Sequence, residues 1–163
     1  MGVLVKRPLL LPVPYFQQPN RYTCVPSCVK MLLGYIGFHV PISRVILGCG
    51  TDKDGTSSED AIRFLRSLNL KPVLGENMGL SKITDLVARG YPVIVDVKDR
   101  LLNPSNPLKN NDEHVVVIVG FNTKRVYYLD PLRKRRPQSL TIVQFKKAYN
   151  AGERKSIYIR IAP

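Results

Sequence analysis

Residues 91–130 constrain the fold more than any other part of the chain, because three β-branched runs of strand length follow one another closely. They read "YPVIVDV" (91–97), "HVVVIVG" (114–120) and "RVYYLD" (125–130). β-Branched and aromatic side chains favour a pleated backbone. A fourth run near the C-terminus, "SIYIRIA" (156–162), alternates with the period of two expected of a strand. The earlier half of the chain has a helical period instead. Strands that follow helices, with little βαβ alternation, predict an α+β fold in which N-terminal helices pack on an antiparallel sheet.

Three helices are predicted ahead of the strands. In "CVPSCVKMLLGYIG" (24–37) Cys24, Cys28, Met31 and Leu32 recur at three- and four-residue spacing. Thr23 can act as N-cap, Pro26 is tolerated in the first turn, and Gly34 or Gly37 can end the helix. In "TSSEDAIRFLRSLNL" (56–70) Thr56 and Glu59 have capping-box spacing ahead of an apolar stripe of Ala61, Ile62, Leu65 and Leu68. A third, shorter helix opens at Ser81, carries Ile83, Leu86 and Val87, and stops at Gly90. The stretch before Pro41 reads as strand-like, and His39 as a surface residue or cap.

The runs "HVVVIVG" and "RVYYLD" are joined by a short turn-prone segment, which predicts a hairpin. Centred near Asn122, it would pair residues whose numbers sum to about 244, and His114 and Asp130 meet that condition. An imidazole oriented by a carboxylate is two-thirds of a nucleophilic triad, and the missing member is a nucleophile that the imidazole can deprotonate. Cys24, at the start of a helix, is the candidate, because a helix N-terminus and a neighbouring imidazolium both favour a thiolate. The backbone amide of Cys24 and a nearby side-chain amide such as that of Gln18 would then stabilise an oxyanion.

These residues carry a family resemblance. The segment Gln18, a short spacer, Cys24 and the proline that follows resembles the papain-like bacteriocin-processing (double-glycine leader) cysteine peptidases, as a stand-alone member. The resemblance runs on in order through "DGTSSEDAIRFLRSLNL", "LSKITDLVARGYPVIVDV", "EHVVVIVGFNTKRVYYLDP" and "LTIVQFKKAY", so it covers nearly the whole chain. It implies a papain-like fold and a thiol hydrolase that cleaves peptide or protein substrates through an acyl-enzyme. Cys24 would be the nucleophile, His114 the base and acid, Asp130 its orienter and Gln18 an oxyanion donor, or Gln17 if the spacer register shifts by one, with no cofactor required. Val25 stands where relatives carry Gly, and Thr23 where the processing enzymes carry Asp.

Length and composition set the outer bounds. With 163 residues the chain fits one domain, residues 1–163. No run is long enough to cross a bilayer, the N-terminus lacks the form of a signal peptide, and Lys6 spoils the myristoylation pattern at Gly2, so the expected location is cytoplasmic. The cysteines Cys24, Cys28 and Cys49 are an odd number and are expected to be free thiols, with Cys28 and Cys49 buried. Their spacing gives no zinc or calcium signature. Twenty-five Lys and Arg against twelve Asp and Glu give a formal charge of +13. That excess gathers in residues 124–160, including "LRKRRP" at 132–137, which reads as a solvated loop near the cleft. It raises one alternative, a basic papain-like scaffold that binds an acidic partner or binds or cuts nucleic acid; the same thiol chemistry on another acyl substrate gives a second, an amidase, deamidase or transferase. The segment "LLNPSNPLKNNDE" (101–113) reads as a loop just ahead of His114.

Overall fold

In the computed structural model, residues 9–109 and 112–161 are described; the N-terminal residues bearing Gly2 and Lys6, and Ala162 of the last strand pattern, lie outside them. The elements, in chain order, are β1 (Leu9–Leu10), α1 (Cys24–Tyr35), α2 (Ile42–Gly48), α3 (Ser58–Ser67), β2 (Lys71–Glu76), α4 (Leu80–Ala88) and β3 (Val93–Lys98). There follow α5 (Asp99–Leu102), β4 (Glu113–Phe121), β5 (Arg125–Leu129), β6 (Gln138–Thr141), α6 (Ile142–Asn150) and β7 (Lys155–Arg160). The strands form an antiparallel sheet in the order β2-β7-β3-β4-β5-β6, and β1 pairs with the end of β4. The α+β expectation therefore holds.

The continuous Val/Ile runs have a simple cause: helices cover both faces of the sheet. Val115, Val117 and Val119 of β4 face a core shared with Val29, Leu32, Ile62 and Leu65 of α1 and α3. Val116 and Ile118 face a second core with Ile83, Phe145 and Tyr149 of α4 and α6. Successive strand side chains point to opposite faces, so a strand sandwiched in this way is apolar at every position.

Local signals explain most element ends, with two corrections. Gly37, at φ 90°, follows the last turn of α1, while Gly34 lies inside the helix. The first correction concerns α3, which begins one residue later than expected: Ser57, not Thr56, is its N-cap and accepts from the Asp60 amide at 3.1 Å. The Thr56 hydroxyl is bonded to Thr51, and Glu59 pairs with Lys155 at 3.0 Å, so neither is free for a capping box. The second correction is near His39, where the stretch read as strand-like leads into α2 beyond Pro41; His39 itself is exposed. A capping box does occur at α6, where Thr141 and Gln144 bond each other's backbone amides, both at 3.2 Å.

The β4–β5 hairpin forms, but its register differs from expectation by two residues. Val117 pairs with Leu129 and Ile118 with Tyr128, and a bulge lies between Ile118 and Gly120. Asn122 opens the turn and does not centre it, because its Oδ1 accepts from the amides of Lys124 at 2.8 Å and Arg125 at 2.7 Å. A shift of two is one full pleat repeat, so His114 and Asp130 still share a face; a shift of one would have turned them apart.

Candidate active site

The site forms where β4 begins, β5 ends and α1 starts. Thr23 occupies the N-cap position of α1, but its hydroxyl does not cap the helix. It donates to the Asn20 carbonyl at 3.0 Å and accepts from the Asn20 amide at 3.3 Å, closing the turn that delivers the chain into α1. The Cys24 and Val25 amides at this helix start have no intrahelical acceptor, and Pro26 has no N–H at all. Cys24 is partly exposed and, with Val25 beside it, lines a cleft of about 680 Å³.

His114 lies across that cleft and is 4% exposed. Its Nε2 is 2.7 Å from Oδ1 of Asp130, and the Cys24 side chain is close enough to favour the charged ring as well. With Nε2 facing the carboxylate, Nδ1 is the ring nitrogen left to meet the sulfur. Burial alone would push the imidazole down, but Asp130 and Cys24 outweigh that and raise it to about 10. Asp130 moves the opposite way: its burial is more than offset by His114, the Leu132 amide and Arg133, which hold it below the usual carboxylate range. The arrangement can hold a thiolate–imidazolium pair braced by a carboxylate.

The side chain that completes this network was not singled out from sequence. Arg133 lies in the basic run read as a solvated loop, but it is half-buried, whereas the cations that follow it, Lys134, Arg135 and Arg136, are exposed in that manner. Its Nη1 donates to Asp130 Oδ2 at 2.7 Å and to Asp99 Oδ1 at 2.8 Å, and its Nη2 donates to Asp99 Oδ2 at 2.9 Å. Asp99, at the start of α5, is fully buried like Asp130. Ligand atoms of Asp99, His114 and Asp130 lie within 4.8 Å of one another, a spacing that would suit a metal ion. Arg133 already supplies the positive charge there. No local signal marked Asp99 or Arg133; their separation of 34 residues hides the pairing.

The structure distinguishes the two glutamines. Gln17 is exposed, whereas Gln18 is 7% exposed, with its amide anchored on the Pro131 carbonyl at 2.7 Å. Gln18 Nε2 donates to the Asn20 carbonyl at 2.6 Å, its Oε1 is buried without a partner, and it is not among the residues that line the cleft. Tyr15 reinforces the same junction by donating to the carbonyls of Asp130 at 2.9 Å and Arg133 at 3.1 Å. Cys24, Cys28 and Cys49 are all free thiols. Cys28 is fully buried with its thiol aimed at the Val115 carbonyl, and burial pushes it well above the ordinary thiol range; burial raises Cys49 to about 12.

Residues 10–157 match the Peptidase_C39 like family. The chain belongs to that family. It is thus a papain-like cysteine peptidase by family and by fold. Similar solved structures include a C39-like peptidase from Bacillus anthracis at 18% identity and TM-score 0.78, covering 96% of this chain and 99% of that one. A double glycine motif protease from an AMS/PCAT transporter, solved in complex with the leader peptide, aligns at 19% identity and TM-score 0.73 over 94% of each chain. The peptidase domain of Streptococcus ComA, a bi-functional ABC transporter in a quorum-sensing pathway, aligns at 15% identity and TM-score 0.74 over 92% of this chain and 99% of that one. The resemblance read from sequence therefore stands. No curated protein matches the chain. Among the described residues, no helix is long and apolar enough to cross a membrane.

Proposed function

We propose that the chain cleaves peptide bonds through a thioester acyl-enzyme, with Cys24, His114 and Asp130 as the reacting triad. The observation that carries the reading is His114, held between the Cys24 sulfur and the Asp130 carboxylate on the wall of an open cleft. The Cys24 thiolate attacks the scissile carbonyl carbon, and the carbonyl π pair moves to oxygen. The backbone amide of Cys24, unpaired at the helix start, donates to that oxyanion. Gln18 Nε2 has one hydrogen engaged by Asn20 and a second left for the same oxyanion. The imidazolium then protonates the departing amine, and the neutral ring later removes a proton from the water that hydrolyses the thioester. Asp130 stays ionised and keeps Nε2–H directed at itself, which leaves Nδ1 for proton transfer.

A peptide substrate is favoured by the similar fold of the protease solved with its leader peptide. The cleft offers both signs of charge, with Arg21, Lys53 and Lys109 alongside Asp54, Asp96 and Glu113. The test is peptide-library digestion with products identified by mass. Cys24→Ala and His114→Ala are expected to abolish cleavage, and Gln18→Ala to slow it by about 10² to 10³. Undiminished cleavage by Cys24→Ala would overturn the reading.

A further inference from the structure

We infer that Arg133 is a positioning residue that ties one wall of the cleft to the orientation of Asp130. The inference rests on the triad proposed above and adds a mechanical link to it. Arg133 reaches three groups at once: Asp130 Oδ2, both oxygens of Asp99, and the Asn106 carbonyl, which its Nη2 meets at 3.1 Å. Asp99 in turn accepts from the Leu108 amide at 2.8 Å and from Asn103 Nδ2 at 3.1 Å. Leu108 and its neighbour Lys109 line the cleft. A continuous path of direct hydrogen bonds thus runs from the backbone of the cleft wall through Asp99, Arg133 and Asp130 to His114, which shares the cleft with Cys24.

The chemistry of each member makes the path stiff. Both carboxylates are 0% exposed, so neither has water to replace a lost partner. On Asp130, Oδ1 is committed to His114 and to the Leu132 amide at 3.0 Å, and Oδ2 to Arg133. The carboxylate plane is therefore fixed from both sides, and loosening Arg133 frees it to rotate away from the imidazole. A guanidinium grips two carboxylates and a carbonyl at once through a rigid planar fork of five N–H donors; an ammonium has three donors and no fixed plane, so it holds the same groups less firmly. A substrate pressed on Leu108 and Lys109 bears on the same guanidinium that holds the triad.

The test uses the full chain and compares Arg133→Gln, Arg133→Lys and Asp99→Asn with the wild type. Three readouts are taken: kcat and KM on a cleaved peptide, the NMR signal of the His114 Nε2–H, and amide exchange at Leu108. Arg133→Gln is expected to lower kcat about ten- to hundredfold, as misplacement by a fraction of an ångström would, to shift the His114 signal and to speed exchange at Leu108. Arg133→Lys should recover part of all three. Asp99→Asn should raise KM more than it lowers kcat, because it loosens the wall first. A folded Arg133→Gln with kcat within twofold of wild type and an unmoved His114 signal, alongside an inactive His114→Ala, overturns the link while leaving the triad intact. If His114→Ala remains active the triad itself fails, and the NMR and exchange readouts, which need no substrate, still decide the link. Should Arg133→Gln not fold, Asp99→Asn decides by the same readouts.

Discussion

Replacing Asp130 by Asn changes one oxygen for an amino group and leaves shape nearly unaltered, yet the bonding around this side chain admits no good placement of the amide. If its oxygen takes the place of Oδ1, it still accepts from His114 and Leu132, but its NH₂ then points at Arg133 Nη1, donor against donor. Rotated by half a turn, the oxygen accepts from Arg133 and the NH₂ opposes both Nε2–H of His114 and the Leu132 amide. Breaking a buried pair by removing one partner costs about 3 to 5 kcal/mol. Because the amide keeps one acceptor, about 3 kcal/mol of lost stability is expected, read as a lower urea midpoint at constant slope. The second placement also forces His114 to present an unprotonated Nε2, which puts its proton on Nδ1 where the sulfur needs a base. An acid-to-amide change of this kind lowers kcat by about 10⁴, or about 5 kcal/mol of barrier. Burial pushes the imidazole down and would no longer be offset by the carboxylate, so His114 should titrate well below its wild-type value of about 10. A variant within 0.5 kcal/mol of wild type in stability (about the scatter of surface substitutions) and within about threefold in kcat, a barrier change under about 0.7 kcal/mol, would refute the reasoning.

Asp96 lines the same cleft and is raised from 3.8 to about 6, first by burial and then by Glu153 and Glu113. Across that window the folded chain keeps a proton the unfolded chain has released, so stability falls as pH rises through it. Asp96→Asn should therefore gain roughly 3 kcal/mol at pH 8 and nothing below about pH 4, by urea unfolding at both values. At Gly120 an added Cβ would lie 1.9 Å from the Leu9 carbonyl oxygen, so Gly120→Ala must push β1 off β4. A loss of about 1 to 3 kcal/mol is expected, with faster amide exchange at Leu11, whose N–H donates to the Val119 carbonyl at 2.8 Å; unchanged exchange would count against it. Iodoacetamide at pH 8 should label Cys24 in the folded protein and spare Cys28 and Cys49, whose thiols burial holds protonated; labelling of Cys28 at a comparable rate by mass spectrometry would contradict this.

Features with a local physical signature could be read from the chain by itself. Helix α1, with Cys24 at its first position, follows from apolar spacing and the N-terminal tolerance for Pro26. Strands β3 and β4 follow from unbroken β-branched runs, because burial on both faces removes every polar position. The meeting of His114 and Asp130 survived an error of two in register, since strand faces repeat every second residue. The capping box Thr141–Gln144 was equally legible and marks a helix that the pattern of strands had obscured. Strand β2 was not, because Pro72 and Gly75 weaken it and it is held as an edge by pairing with β7 across the whole second half of the chain.

The site divides along the same line. Residue types and their order named Cys24, His114, Asp130 and Gln18, since each carries chemistry in its own side chain. Only the tertiary structure decided that Gln18 is buried while Gln17 faces outward, and that Thr23 closes a turn and does not cap a helix. It alone made Arg133 part of the site: the guanidinium looks like one more solvated cation in "LRKRRP" until Asp99, 34 residues away, is brought beside Asp130. An arginine's charge is fixed by its chemistry, but whether that charge meets water or two buried carboxylates depends on what the fold sets around it.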